Sequence, residues 1–300
     1  MISTGKSIVL TLLVAAVSLL AGVSVVRLDL DDSEAARSNY QALPFRLWGS
    51  GKYHPDPTQR VTIVTLSNSR CGYVLQLSGT QSTEGGWKAA LGMPYPSKAN
   101  WYSNAFFTFH CGTVKSTDCH VEILECRNGA EQGLVQLRYS THDFSARLEI
   151  ILLEDDDRLL FTMHPEAIPA GIADYQLELL CYPSSYGGGF QEGKDIRKRE
   201  AQTPSRTLNP GPTVILENDE NWVCFYDKYF DVALNRGEGP CAILYNPRQI
   251  SRAEALVSDY ACSLRLSLPI SQPAGLMLWD FHAWGNHSAL DFMQALQVTY

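Results

Sequence analysis

Six side chains are the candidates for proton transfer in this 300-residue chain: His142, His164, Glu166, Glu178, Glu217 and Asp227. His164 and Glu166 flank Pro165 at the end of a strand-like run, where side chains can reach a cleft. Together with His142 they are the catalytic candidates, because acid–base chemistry on a sugar needs an acid and a base held across the substrate. No GxSxG, HExxH or comparable nucleophile signature occurs.

Aromatic residues form a second set. NWYSN (100–104) and WDFHAWGNH (279–287) place Trp and Tyr beside Asn, Asp and His. Sugars present apolar C–H faces and polar rims, which suit a mainly apolar wall with a few placed polar groups. Trp101, Tyr102, Asn104 and Trp284 are therefore the ligand-binding candidates. Trp279 and Phe281 are expected to pack, as large aromatics often do.

Other constellations point to less. The stretch between residues 182 and 213 is long for a connection and holds Gly187, Gly188 and Gly189 followed by Lys194, Arg197, Lys198 and Arg199. It lacks the spacing of a phosphate-binding loop and reads as a solvated, mobile segment. His110-Cys111 and Cys119-His120 are not at metal-ligand spacing, and neighbours on a strand face opposite sides. No metal or cofactor is expected. The eight cysteines can be core thiols or disulfides, with Cys111, Cys119 and Cys126 the best placed to bridge.

These residues must be positioned by strands. Thirteen short runs follow one another, from VTIVTLS (61–67) to GLMLWDF (275–281). Alternation of apolar and polar residues is clear in 133–140, 145–150 and 262–268, as in half-buried strands. RNGAEQG (127–133), HDF (142–144) and DDD (155–157) read as turns between them. At the C-terminus Leu290, Met293 and Leu296 have helical spacing, with Asn286 or Ser288 as the cap. The pattern predicts an all-β fold: a large antiparallel β-sandwich after an N-terminal hydrophobic helix, closed by a short C-terminal helix.

The N-terminal helix is the run of uncharged residues 7–26, preceded by Lys6 and followed by Asp29, Asp31, Asp32 and Glu34. Its length of about 20 residues suits a membrane span, while Ala21, Gly22 and Ser24 suit signal cleavage. Residues 1–26 are thus a signal peptide or an N-terminal membrane anchor, 27–60 a linker and lead-in segment, and 61–300 the sandwich. Both readings export the body. The chain carries 24 Lys and Arg against 32 Asp and Glu, a net charge of −8, which argues against nucleic acid as a partner.

The second half, with ENDENWVCFYDKYFD (217–231), GEGPCAILYNP (237–247) and a strand-rich tail, resembles the β-supersandwich of galactose-mutarotase-like domains. The likeness is one of architecture, without the His and acidic contexts of true mutarotases. It implies a carbohydrate-associated domain, and such domains serve both as catalytic units and as non-catalytic modules. Three functions follow as expectations: an exported glycan-binding domain, an envelope-tethered interaction domain without a small ligand, or a glycan-processing hydrolase, lyase or epimerase.

Overall fold

The computed structural model describes residues 22–30, 59–81, 87–97, 105–183, 190–191, 194–195 and 197–296. In chain order its strands are β1 (Ser24–Leu30), β2 (Gln59–Ser67), β3 (Gly72–Gln81), β4 (Trp87–Tyr95), β5 (Phe107–Cys111), β6 (Val114–Lys115), β7 (His120–Arg127), β8 (Gln132–Ser140), β9 (Ser145–Leu153), β10 (Leu159–Ala167) and β11 (Asp174–Cys181). There follow β12 (Phe190–Gln191), β13 (Lys194–Asp195), β14 (Arg199–Gln202), β15 (Thr207–Leu208), β16 (Val214–Ile215), β17 (Trp222–Asp227), β18 (Cys241–Tyr245), β19 (Arg252–Val257), β20 (Cys262–Pro269), β21 (Ala274–Asp280) and the helix α1 (Asn286–Ala295).

Apart from the short hairpin of β12 and β13, the pairings trace two antiparallel sheets. The first runs β1-β2-β3-β4-β5-β11-β20-β19-β16, with β6 folded back on β5. The second runs β7-β8-β9-β10-β21-β18-β17-β14-β15. A single bridge, Lys88 to His120, joins β4 to β7. The inner faces pack on one another: Phe107 of the first sheet stacks on Phe161 of the second at 5.7 Å, and Phe109 meets Tyr139 edge-on at 5.1 Å.

Alternation explains the packing. In β9, Ala146, Leu148, Ile150 and Leu152 are buried, while Arg147, Glu149 and Ile151 point away from the core. Each buried Leu, Ile or Phe contributes about 1.5–3 kcal/mol, so a one-residue slip of register would expose a whole row. Each of the thirteen predicted runs holds a strand. Of the strands outside those runs, β4 and β19 escaped prediction for local reasons. In β4, Gly92 and Pro94 interrupt the pattern, although Trp87, Ala89, Leu91 and Met93 are buried. In β19 the inward residues include Ala253 and Ala255, whose type suggests a helix.

The N-terminal reading changes at one point. Ser24, Val25 and Val26, from the end of the uncharged run, continue with Arg27 to Leu30 as β1 and pair with β2. Val23 and Val25 are buried against Gly133, where an added Cβ would lie 2.6 Å from Val23 Cγ1. Gly22 has φ 136°, and a Cβ there would meet Gly129 O at 2.8 Å, so this small residue serves the backbone's close approach. The alternation was hidden because β1 continues an unbroken apolar run. Residues 7–21 and 31–58 lie outside the described residues. Among the described residues no helix is long and apolar enough to cross a membrane.

The cysteines take the first of their two expected states, and the basic stretch is corrected. All eight cysteines are free thiols, and Cys111 and Cys119 fill core positions as small apolar side chains. The basic stretch is not a solvated loop from residue 197 onward. Arg197 and Arg199 are buried, and β14 pairs with β17. Arg199 donates from Nη1 to Asp259 O at 2.7 Å and to Tyr260 O.

Replacing Val23 by Asp buries a carboxylate between β1 and Gly133. We expect it to lower the unfolding free energy by about 2–4 kcal/mol, measured by urea denaturation; an unchanged midpoint would show that β1 is not part of the core.

Candidate functional site

The second sheet has an outer face as well as a core face, and that face is divided. Over β17, β18 and β21 it is apolar: Trp222, Cys224, Ala242, Leu244 and Trp279 are buried under α1, which contributes Ala289 and Met293. A ten-residue helix is marginal on its own, so its packing must hold it; burying Met293 contributes about 2–3 kcal/mol. The helix start is fixed from a distance. Asp231 Oδ1 accepts from Asn286 N at 2.9 Å, and Asn286 Nδ2 donates to Asp227 O at 2.7 Å. The residue at the cap position is Gly285, with no side-chain cap, in place of the predicted Asn286 or Ser288.

Over β8, β9 and β10 the same face is charged. Three consecutive hairpin strands set the register: Gln136 lies opposite Glu149, Arg138 opposite Arg147, and Arg147 opposite His164. Two arginines directly across from one another repel. Glu166 offsets this by bracketing both, at 3.7 Å from Arg138 Nε and 3.5 Å from Arg147 Nε. Glu166 owes its place to a bulge, since the pairing with β9 shifts between Pro165 and Ala167. Pro165 has no N–H to give the ladder, and bulges re-aim side chains in this way.

Glu149 is the hub on the other side. Its Oε2 lies 3.2 Å from His164 Nε2, its Oε1 accepts from Gln136 Nε2 at 3.0 Å, and Arg147 Nη1 stands 3.5 Å away. The His164 and Glu149 side chains are 24% and 21% exposed, so both are reachable and neither is free to swing. Beside them Thr162 sits opposite Gly275, where no side chain rises from the sheet. The face thus offers an imidazole next to a carboxylate, two forked guanidinium groups, an amide and a hydroxyl. Fixed donors and acceptors of this kind match the vicinal hydroxyls of a sugar.

The predicted site residues scatter around this cluster. His164 and Glu166 belong to it. His142 is on the β8–β9 turn, 96% exposed, with Nδ1 2.5 Å from Asp143 Oδ1. Trp284 packs on Phe281 at 5.2 Å and Phe292 at 5.5 Å, and keeps one edge exposed beside α1. Trp279 stacks on Phe281 at 5.2 Å, as expected of packing residues. Trp101, Tyr102 and Asn104 lie outside the described residues. Glu178 faces outward on the first sheet and pairs with Arg265 at 3.1 Å, and Asp227 is buried, accepting from Tyr229 N and Phe230 N. Sequence reasoning missed Arg138, Arg147 and Glu149. A usable signal existed, because the short turn after Ser140 sets Arg138 opposite Arg147 once the hairpin is drawn. A separate cavity of about 320 Å³ opens at β16 and β19, lined by Ile215, Tyr245, Ile250 and Arg252 among others.

No family model matches the chain, and no curated protein matches it. Among solved structures it is similar to a protein assigned as an aldose 1-epimerase from Klebsiella pneumoniae, at 10% identity and TM-score 0.47 over 90% of this chain and 94% of that one. It is also similar to the galactosidase domain of an alpha-galactosidase–sucrose kinase, at 11% identity and TM-score 0.43. A glycosyl hydrolase family 38 protein from Enterococcus faecalis matches at 11% identity and TM-score 0.44. Each of these two covers 77% of this chain, which spans 42% and 31% of their respective lengths. The likeness is a weak, architectural one, and no residue role is carried across.

One carboxylate outside the charged face has a clear structural task. Glu220, fully buried, accepts from Thr203 Oγ1 at 2.5 Å, Ser205 Oγ at 2.8 Å, Arg206 Nη2 at 2.7 Å and Glu217 N at 2.8 Å. Burial alone would raise its pKa, but the bonds from Arg206, Thr203, Glu217 and Ser205 outweigh it and hold the carboxyl at about 2. A depressed carboxylate stabilises the fold above its unfolded pKa of about 4.3, and that contribution fades as pH falls toward about 2. Glu220→Gln should therefore cost about 2–3 kcal/mol at pH 7, with the gap from wild type closing below pH 4 in thermal melts. A gap independent of pH would contradict the assignment.

Proposed function

We propose that this chain is a carbohydrate-associated β-sandwich that binds a glycan on the charged face of β8, β9 and β10. The observation that carries the reading is the connected set of Arg138, Arg147, Glu149, His164 and Glu166, held by hairpin register and a bulge on a sheet face that α1 leaves uncovered. Guanidinium and carboxylate groups already aligned by one another lose little freedom when they accept a ligand. Trp101, Tyr102 and Asn104 belong to the same proposal as a stacking platform. The uncharged residues ahead of β1, 7–21, support work outside the cytoplasm, with membrane attachment through them if they are retained.

Glycan-array and affinity-gel measurements on the folded protein should detect binding, and Arg147→Ala should weaken it about tenfold or more, as expected for a charged hydrogen bond, with the circular dichroism spectrum unchanged. A flat response from the folded wild type would overturn the proposal.

The 3.2 Å approach of His164 to Glu149 supports a second reading, in which the bound glycan is processed by an acid–base pair. Under it, His164→Ala lowers turnover by about 10²–10⁴ in a screen of hydrolase, lyase and epimerase substrates. Equal turnover in wild type and variant would remove His164 from any catalytic role.

A further inference from the structure

The two arginines on the open face of the second sheet have unfilled forks. Arg138 and Arg147 stand directly opposite one another. A guanidinium is best matched by a carboxylate seated bidentate at about 2.7–2.9 Å. Among the described residues neither arginine has such a partner. Glu166 comes no closer than 3.7 Å to Arg138 and 3.5 Å to Arg147. Glu122 stays 3.8 Å from Arg138, and Glu149 stays 3.5 Å from Arg147. None of these approaches is a hydrogen bond, and Arg147 Nε is buried with no hydrogen-bond partner.

The protein's own carboxylates are held away from the forks. Glu149 Oε1 is tied by Gln136 Nε2 at 3.0 Å, and its Oε2 is turned to His164. Glu166 is divided between the two guanidinium groups. Glu122 stands largely in solvent, where an ion pair contributes little. The Arg138 and Arg147 side chains are 43% and 33% exposed, so a ligand can reach both.

We propose that the glycan bound on this face is an acidic one, and that the carboxylate of a uronic acid residue seats between Arg138 and Arg147. The inference rests on the glycan-binding reading above and adds the class of sugar. A planar carboxylate matches the planar fork of arginine. Two residues further along each strand, about 7 Å away, the row of Gln136, Glu149 and Thr162 offers an amide, a carboxylate and a hydroxyl to sugar hydroxyls. One row beyond, Ile151 lies opposite Leu160 and Leu160 opposite Met277, a half-buried apolar strip. That strip suits the C–H face of a neighbouring sugar. The order cationic, polar, apolar runs along β9, so the glycan lies along that strand with its acid at the Arg147 end. The net charge of −8 repels acidic polymers at large, so binding of this class depends on the local forks and not on general attraction.

The test is titration calorimetry of the full chain with three probes of equal length. They are an oligouronide, the same oligosaccharide with its carboxylates reduced to primary alcohols, and a neutral oligosaccharide bearing sulfate. The oligouronide should bind about tenfold or more tightly than its reduced form, as expected for charged hydrogen bonds. Arg147→Lys keeps the charge but loses the fork, and should weaken oligouronide binding about tenfold, with the circular dichroism spectrum unchanged. Arg265→Gln, on the outer face of the first sheet, should leave it as it is. Equal affinity for the acid and its reduced form, preference for the sulfated probe, or wild-type affinity in Arg147→Lys would overturn the acidic assignment while glycan binding itself stands. Failure of the oligouronide to bind at all would also overturn it, and the glycan array then tests the parent reading separately.

Discussion

The burial of one face of every long strand against the opposite sheet is the constraint on which the rest of the structure depends. Once Phe107, Phe109, Phe161 and Tyr139 interlock, the register of each strand is set, and so is the identity of the residues on the outer faces. The second sheet then has a surface that must be either covered or made compatible with water. This chain does both. The half over β17, β18 and β21 carries Trp222, Trp279 and Leu244 and is covered by α1. The half over β8, β9 and β10 carries charges, and among the described residues α1 leaves it uncovered.

The charged half is held by mutual restraint. Arg138 and Arg147 face each other because the turn after Ser140 leaves no other register. That opposition is tolerable only with a carboxylate between them, which the bulge at Pro165 supplies in Glu166. Glu149 in turn is shared by Gln136, Arg147 and His164. Isolated exposed ion pairs contribute about 0–1 kcal/mol, so this network is a poor explanation for stability. Its value lies in fixing donors and acceptors on an accessible surface. Glu220 is the contrast: with its carboxyl fully enclosed and five donors converging on it, it stabilises the loop it anchors.

Much of the fold was legible in the sequence because alternation in runs such as SARLEIILLE reports burial directly. β1 was not, since its alternation continues an uncharged run, and β4 was not, since Gly92 and Pro94 mask it. The helix was legible from Met293 and its neighbours, but its anchoring by Asp231 was not, because that bond spans 55 residues. The site was half legible. His164 and Glu166 stood out by residue type beside a proline. Arg138, Arg147 and Glu149 looked like ordinary solvent-facing charges until register placed them side by side.

The central claim is that the open face of β8, β9 and β10 is where a ligand lands. The most direct measurement is NMR observation of the arginine Nε–H and histidine side-chain resonances during titration with a glycan that the protein binds. The account predicts shifts at Arg138, Arg147 and His164, with Arg252 and Arg265 on the outer face of the first sheet unmoved. Shifts confined to Arg252 and Arg265, or none in the β8–β10 cluster at saturation, would contradict it.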